Sequence, residues 1–157
     1  MYSDILLPTD GSEAAESAIN HALAIGNCFD ALVHVLHVTD SSHPDQSHGG
    51  QRFDQVGTDQ FSERETLAEI GREAIGTVTS EAESRGVDTV EHIVPGQPAR
   101  VIAHYVENEG IDLVVMGSRG HQGVKRALLG SVTERVTGLV DVPVLVTTPG
   151  ETNEGDG

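Results

Sequence analysis

The sequence predicts an α/β protein: a single-domain, open, parallel five-stranded sheet with helices on both faces. Short apolar runs alternate with helical patterns along 157 residues, a length typical of one domain. One run, residues 111–116, is almost continuously apolar, as expected of a strand buried on both faces. Alternation of this kind favours parallel strands joined by right-handed crossovers. Such doubly wound sheets bind ligands beyond the carboxyl ends of their strands.

The first half of the chain contains two predicted strands and two predicted helices. Residues 5–7 form a short apolar strand, and residues 31–38 form a second strand rich in branched side chains. Between them, residues 12–27 carry apolar side chains at helical spacing, with Ser12 as the N-cap. A longer helix is predicted over residues 61–85, ending before a glycine. Its predicted buried face comprises Leu67, Ile70, Ala74, Val78 and Ala82.

The second half repeats the alternation. Residues 87–94 are predicted as a strand, 98–108 as a helix, and 111–116 as the strand buried on both faces. The last strand covers residues 142–147, and its Pro143 suits an edge position because proline cannot donate to a ladder. We therefore expect five strands and, with the helix that precedes the last strand, four helices.

That fourth helix is predicted to begin at Ser131. Ser131 and Glu134 have the Ser-x-x-Glu spacing of a capping box, in which each side chain bonds a backbone amide at the helix start. The domain is predicted over residues 1–148, followed by an acidic, disordered tail at 149–157. The predicted buried stripe of the helix comprises Val132, Val136, Leu139 and Val140.

Charge and composition narrow the function classes. The chain has 25 acidic and 9 basic residues, which gives a net charge of −16. Such a surface repels nucleic acid and anionic membranes. No apolar run approaches the about 20 residues of a membrane span, and the N-terminus lacks the features of a secretory signal. We expect a cytoplasmic protein with no nucleic-acid or membrane partner, whose lone Cys28 is a small buried apolar residue.

Four histidines are weighed as metal ligands. His34 and His37 lie on the second predicted strand with opposite facing, and we expect packed or hydrogen-bonded side chains there. His43 and His48 fall in a polar stretch, residues 39–60, which is predicted to be a mobile loop. That stretch is interpreted as a lid, a partner site or a simply solvated connection, and the two histidines as at most adventitious ligands.

The segment after the fourth strand carries most of the functional information. Residues 113–133 contain no acid, although the overall composition predicts about three, and they hold Arg119, Lys125 and Arg126. Four glycines in this segment allow positive φ and close approach to a ligand. The pattern indicates a phosphate-binding loop at a helix N-terminus, and a flexible connection with incidental charge is the alternative. The P-loop and dinucleotide fingerprints are both absent.

Residues 117–131 carry the pattern Gly-x2-Gly-x9-Gly-Ser. This loop resembles that of the ATP-binding members of the universal stress protein family, and the resemblance covers residues 3–147. It implies a Rossmann-like fold of the adenine nucleotide alpha hydrolase-like type. Besides the loop, the matching segments are Pro8-Thr9-Asp10, Leu36-His37-Val38 and Val142-Pro143-Val144-Leu145-Val146.

The resemblance also implies roles for individual residues. Asp10 would lie near the adenine and the ribose, and Val38 would offer its backbone to the adenine. The glycines, Ser131 and the Val132 amide would hold phosphates, and Mg²⁺ would arrive with them. From charge alone, Arg119, Lys125 and Arg126 are added as phosphate neighbours. The binding residues expected in all are Pro8, Thr9, Asp10, Val38, Met116, Gly117, Arg119, Gly120, Gly130, Ser131, Val132 and Thr133.

The function expected from the resemblance is adenine-nucleotide binding in stress response or signalling. The ligand is expected to be ATP, or else ADP or AMP, hydrolysed slowly or not at all because no catalytic constellation is evident. A homodimer through the last strand is expected, with Val144, Leu145 and Val146 at its apolar edge. The alternatives are a nucleotide-free interaction protein of the same fold and a slow ATPase.

The acidic surface leads to a prediction about salt. If the chain is adapted to a halophilic environment, the melting temperature will rise from low to molar KCl, because salt screens the repulsion among its carboxylates. A thermal melt series in KCl measures this directly. A melting temperature that does not rise would identify an ordinary acidic protein instead.

Overall fold

The computed structural model describes residues 1–40, 56–118 and 129–148 of the chain. Strands and helices alternate along the described ranges, which begin and end with a strand. In chain order they are β1 (Asp4–Pro8), α1 (Glu13–Phe29), β2 (Leu32–Asp40), α2 (Val56–Arg85), β3 (Thr89–Gly96), α3 (Pro98–Asn108), β4 (Leu113–Gly117), α4 (Ser131–Leu139) and β5 (Val144–Thr147).

The five strands form one parallel sheet in the order β3-β2-β1-β4-β5. The predicted fold class is therefore confirmed. The winding reverses between β1 and β4, which pair through Ile5 with Leu113 and Leu6 with Val114. In sheets of this type the crevice at such a reversal, at the carboxyl ends of the strands, receives ligands.

Two apolar cores cover the two faces of the sheet. Alternate residues of β1 belong to different cores, because successive side chains of a strand point to opposite faces. Ile5 and Leu7 pack on the face covered by α1 and α2, and Leu6 packs on the face covered by α3 and α4. The central strands are buried on both faces, as the apolar run at 111–116 predicts.

Several boundaries differ from the sequence-based ones. β2 extends to Asp40 and α2 begins at Val56, so the predicted mobile loop at 39–60 is wrong at both ends. Residues 56–60 carry no apolar periodicity, the signal on which the helix prediction depends. β3 and β4 each begin two residues later than predicted. Residues 41–55, with His43 and His48, and the tail 149–157 lie outside the described residues.

Four residues predicted to be buried are exposed. Leu67 and Ile70 of α2 are 42% and 43% exposed, whereas Ala74, Val78 and Ala82 of the same stripe are buried as predicted. Leu139, the last residue of α4, and Cys28, in the last turn of α1, also face solvent. Among the described residues, no helix has both the length and the apolar character to cross a bilayer.

His34 belongs to a buried polar chain on the α3 face. Its Nε2 lies 2.9 Å from Asp4 Oδ1, and its Nδ1 lies 2.7 Å from the Tyr105 hydroxyl. Because the Asp4 carboxylate only accepts, the Nε2 of His34 carries a proton and donates to it. His34 is thus a hydrogen-bonded core histidine, as predicted. Burial, and then the charges of Glu109 and Asp4, raise the pKa of Tyr105 to about 12.

This pKa predicts a loss of stability in alkali. The folded state retains the Tyr105 proton above pH 10, whereas the unfolded state releases it, so the free energy of unfolding falls between pH 10 and 12 by about 2 kcal/mol. Urea unfolding across this range would measure the slope. The Tyr105→Phe protein should be less stable at pH 8 but show a flatter slope. An unchanged slope would contradict the assignment, and Tyr2→Phe is the matched control.

The end of β4 approaches the first turn of α1 very closely. A Cβ added to Gly117 would lie 2.6 Å from both the carbonyl carbon and the oxygen of Ala14, and 2.9 Å from its Cβ. Contacts this short are not tolerated between real side chains and backbone. Only glycine at position 117 lets β4 and α1 meet here.

Gly117→Ala should therefore destabilise the protein by about 1–3 kcal/mol, the usual cost of overpacking a core. Gly138→Ala is the matched control, because nothing lies within 4 Å of a Cβ at that helical position. The control should be neutral or slightly stabilising, since alanine favours helix. Equal unfolding free energies for the two variants, measured in urea, would contradict the close approach.

Candidate functional site

Of the residues predicted to bind a ligand, those that the structure describes lie at the carboxyl edge of the sheet. Pro8 ends β1, and Met116 and Gly117 end β4, on the two sides of the winding reversal. Val38 lies near the end of β2, the other neighbour of β1. The turn after β1 leads into α1, and residues 130–133 begin α4, so two helix N-termini lie at the same edge.

The turn between β1 and α1 is held by its own polar groups. Asp10 Oδ1 accepts a hydrogen bond of 2.9 Å from the Ser12 amide, which fixes the carboxylate across the turn. Gly11 adopts a φ of +79°, a conformation that glycine takes without strain. Ser12 then caps α1 by accepting from the Ala15 amide at 3.2 Å, which confirms its predicted role.

Thr9 joins this turn to β2. Its amide donates to the Leu36 carbonyl, and its carbonyl accepts from His37 Nδ1, both at 2.9 Å. Thr9 is buried, and Asp10 beside it is half-buried. These bonds fix the backbone that leads into Asp10, whose half-buried carboxylate lies at the carboxyl edge of the sheet.

The start of α4 differs from the prediction. Its N-cap is Gly130, with a φ of −62°, and no side chain caps the helix, so the predicted capping box of Ser131 and Glu134 is wrong. Ser131 is instead the first helical residue, and it is exposed. The first intrahelical bond runs from the Glu134 amide to the Gly130 carbonyl. The amides of residues 131–133 precede it at the positive end of the helix, an arrangement that suits an anion.

Backbone hydrogen bonds fix both ends of the glycine-rich segment. The Ser118 amide donates to the Thr147 carbonyl at 2.7 Å, and the Gly130 amide donates to the Ser118 carbonyl at 2.6 Å. The Thr133 hydroxyl donates to the Gly117 carbonyl at 2.8 Å, which ties α4 to β4. The side chain of Thr133 therefore has a structural partner, and a ligand would meet its backbone.

Two of the four glycines of this segment, Gly117 and Gly130, belong to the described residues. Neither uses the positive φ that glycine allows, because Gly130 has a negative φ and Gly117 is not in the left-handed region. Gly117 is required by the approach to Ala14, a contact within the fold. Arg119, Gly120 and the other residues to 128, with Gly123, Lys125 and Arg126 among them, lie outside the described residues.

Sequence reasoning missed two contacts that build this edge. One is the bond from His37 to Thr9, although strand alternation correctly predicted which way His37 faces. The other is a hydroxyl pair, Ser17 Oγ and Thr147 Oγ1, 2.8 Å apart, with Ser17 also donating to the Ala14 carbonyl. No sequence signal identifies a hydroxyl pair between a helix and a strand far apart in the chain. Within the described ranges, no group of three His, Cys, Asp or Glu side chains is arranged to hold a metal.

Comparison with known proteins gives a consistent result. The chain matches the universal stress protein family model over residues 1–148. It is 37% identical over 146 residues to universal stress protein MJ0531 of Methanocaldococcus jannaschii, covering 93% of this chain and 82% of that protein.

Solved structures share the fold. The structure of MJ0577, a universal stress protein of Methanocaldococcus jannaschii, superposes on this chain with a TM-score of 0.79. The two chains are 34% identical, and the match covers 97% of this chain and 99% of that one. A universal stress protein family member from Arabidopsis thaliana, solved with AMP bound, has a TM-score of 0.68 at 16% identity, with 98% and 96% coverage. The second likeness, at that identity, concerns the fold alone. By its matching family model and its relatives above 30% identity, this chain belongs to the universal stress protein family.

Proposed function

We propose that this protein binds an adenine nucleotide at the carboxyl edge of its sheet, with the phosphates at the start of α4. The supporting observation is the N-terminus of α4, where Gly130 is the N-cap and, among the described residues, no side chain caps the helix. The first amides of such a helix carry partial positive charge and bind phosphate readily. A chain of net charge −16 needs a concentrated local site of this kind to hold an anion.

The nucleoside is proposed to lie between the β1–α1 turn and the end of β4. The Asp10 carboxylate is held at the turn by the Ser12 amide, and carboxylates accept hydrogen bonds from ribose hydroxyls. The backbone of Val38 would meet the adenine, and Met116 and Gly117 would line the nucleoside. Adenine is proposed as the base; a protein of the same fold from Arabidopsis thaliana was solved with AMP bound.

ATP is the proposed ligand, because the Gly-x2-Gly-x9-Gly-Ser spacing resembles that of the ATP-binding members of the family. Gly120 and the cations Arg119, Lys125 and Arg126 are proposed to meet its phosphates. Mg²⁺ bound here would take its ligands mainly from phosphate oxygens and water, as this ion commonly does. The described residues offer no cluster of carboxylates and histidines that would enclose it instead.

The output is proposed to be a bound state in stress response or signalling, with slow hydrolysis at most. A ligand that binds one conformation more tightly increases the population of that conformation, which a partner can then bind selectively. The proposed partner is a second copy, paired through β5. Among the described strands, β5 pairs only with β4, and its Leu145 is 36% exposed beside the half-buried Val144 and Val146. An apolar edge strand of this kind favours pairing with another chain.

Ser131→Asp should separate helix stability from ligand binding. A carboxylate at the first turn of α4 stabilises the helix dipole but repels a phosphate, so nucleotide affinity should fall about tenfold while the melting temperature holds or rises. Ser131→Asn is the matched control, because it is close in size to aspartate without the charge. Calorimetric titration with MgATP measures the affinity of each protein. Equal affinities for the two variants would exclude phosphate binding at α4.

The unmodified protein provides the direct test. Native mass spectrometry after purification without added nucleotide should show an added mass of ATP, ADP or AMP, on a dimeric protein. No added mass, together with no calorimetric heat at millimolar MgATP, would favour the nucleotide-free interaction protein.

A further inference from the structure

We infer that His37 is a positioning residue for the candidate site, and that its ring packs against α2 in the space that a side chain at Gly71 would occupy. His37 would set the carbonyl of Thr9 and, through it, the Asp10 carboxylate that receives the nucleoside. This inference rests on the proposed function, which did not assign His37 or any residue of α2.

The first step is the contact between His37 and the turn. The His37 ring is buried, at 7% exposure, and its Nδ1 lies 2.9 Å from the Thr9 carbonyl oxygen. Because a carbonyl only accepts, the Nδ1 of His37 carries the proton, and the ring donates to the peptide that leads directly into Asp10. A ring in this position fixes the plane of the Thr9–Asp10 peptide.

The second step is the contact between His37 and α2. A Cβ added to Gly71 would lie 2.7 Å from Cδ2 of the ring, 3.2 Å from Nε2 and 3.4 Å from Cγ. Glycine in a helix interior is less favourable than alanine, and at Gly71, unlike at Gly76 of the same helix, packing gives a reason for it. The reason is that the imidazole edge fills the space in which a side chain would lie.

The third step is a direct contact between α2 and the β1–α1 turn. A Cβ on Gly11 would be 3.6 Å from the Cβ of Ala74, one turn along α2 from Gly71. The turn is therefore held between β2, through the Thr9 amide and the Leu36 carbonyl, and α2 on its other side. A displacement of α2 at Gly71 moves the ring, the Thr9 carbonyl and the Asp10 carboxylate together.

Gly71→Ala tests this arrangement, with Gly76→Ala as the matched control on the same helix, because a Cβ at Gly76 has nothing within 4 Å. Two quantities are measured: hydrogen exchange of the Ser12 amide, which Asp10 protects, and the dissociation constant of MgATP. We expect Gly71→Ala to speed Ser12 exchange and weaken MgATP by about fivefold or more, the equivalent of one hydrogen bond, while Gly76→Ala matches the unmodified protein. Equal values for both variants would overturn the inference.

Substitution of His37 itself gives an independent readout. His37→Asn retains a donor close to the position of Nδ1, whereas His37→Leu removes it. We expect His37→Asn to bind MgATP within about twofold of the unmodified protein, and His37→Leu to lose about fivefold or more. Both are assayed below their melting temperatures. Full affinity in His37→Leu, or equal losses in both variants, would mean that the ring only fills space.

Failure of the proposed function has a different signature. If the unmodified protein binds no nucleotide, that function fails, and the Ser12 amide alone then decides the role of His37. Faster exchange in Gly71→Ala than in Gly76→Ala would still show that the ring positions the Asp10 turn, and equal exchange would overturn it.

Discussion

The near-contact between Gly117 and Ala14 is the constraint on which the carboxyl edge depends. With a Cβ at 117 only 2.6 Å from the Ala14 backbone, β4 reaches the first turn of α1 only because position 117 is glycine. From that point the Gly117 carbonyl accepts from Thr133, and the next residue bonds both β5 and the start of α4. Two helix N-termini and the ends of two central strands are thereby held at one edge.

Sequence periodicity was sufficient for the architecture because burial and alternation leave a strong pattern. The apolar run at 111–116 identified the doubly buried strand, and the opposite facing of His34 and His37 followed from the two-residue period. The pattern failed where burial depends on what covers a helix. Leu67 and Ile70 continue at helical spacing the stripe of Ala74, Val78 and Ala82, yet they are exposed.

The candidate site was predictable in position but not in construction. A glycine-rich stretch without acids, placed after a buried strand, was enough to indicate the edge at which α4 begins. The sequence pattern could not distinguish a glycine needed for a turn from one needed for close packing against a helix. Gly117 is of the second kind, because it packs against Ala14 of α1. Nor could the pattern show that Gly130 replaces Ser131 as the N-cap, because a capping box is a local pattern and the N-cap here is fixed by a bond to Ser118.

β2 carries one histidine on each face of the sheet, and the two have different chemical surroundings. His34 points into the α3 face, where its ring completes a chain from a carboxylate to a phenol, and three residues later His37 points into the opposite face and holds the turn after β1. Both imidazoles are carried by one strand, and their hydrogen-bond partners in the described ranges are different residues. An isotope-edited histidine spectrum would therefore contain two internal reporters on the same backbone, one for the packing of the α3 face and the other for the turn between β1 and α1.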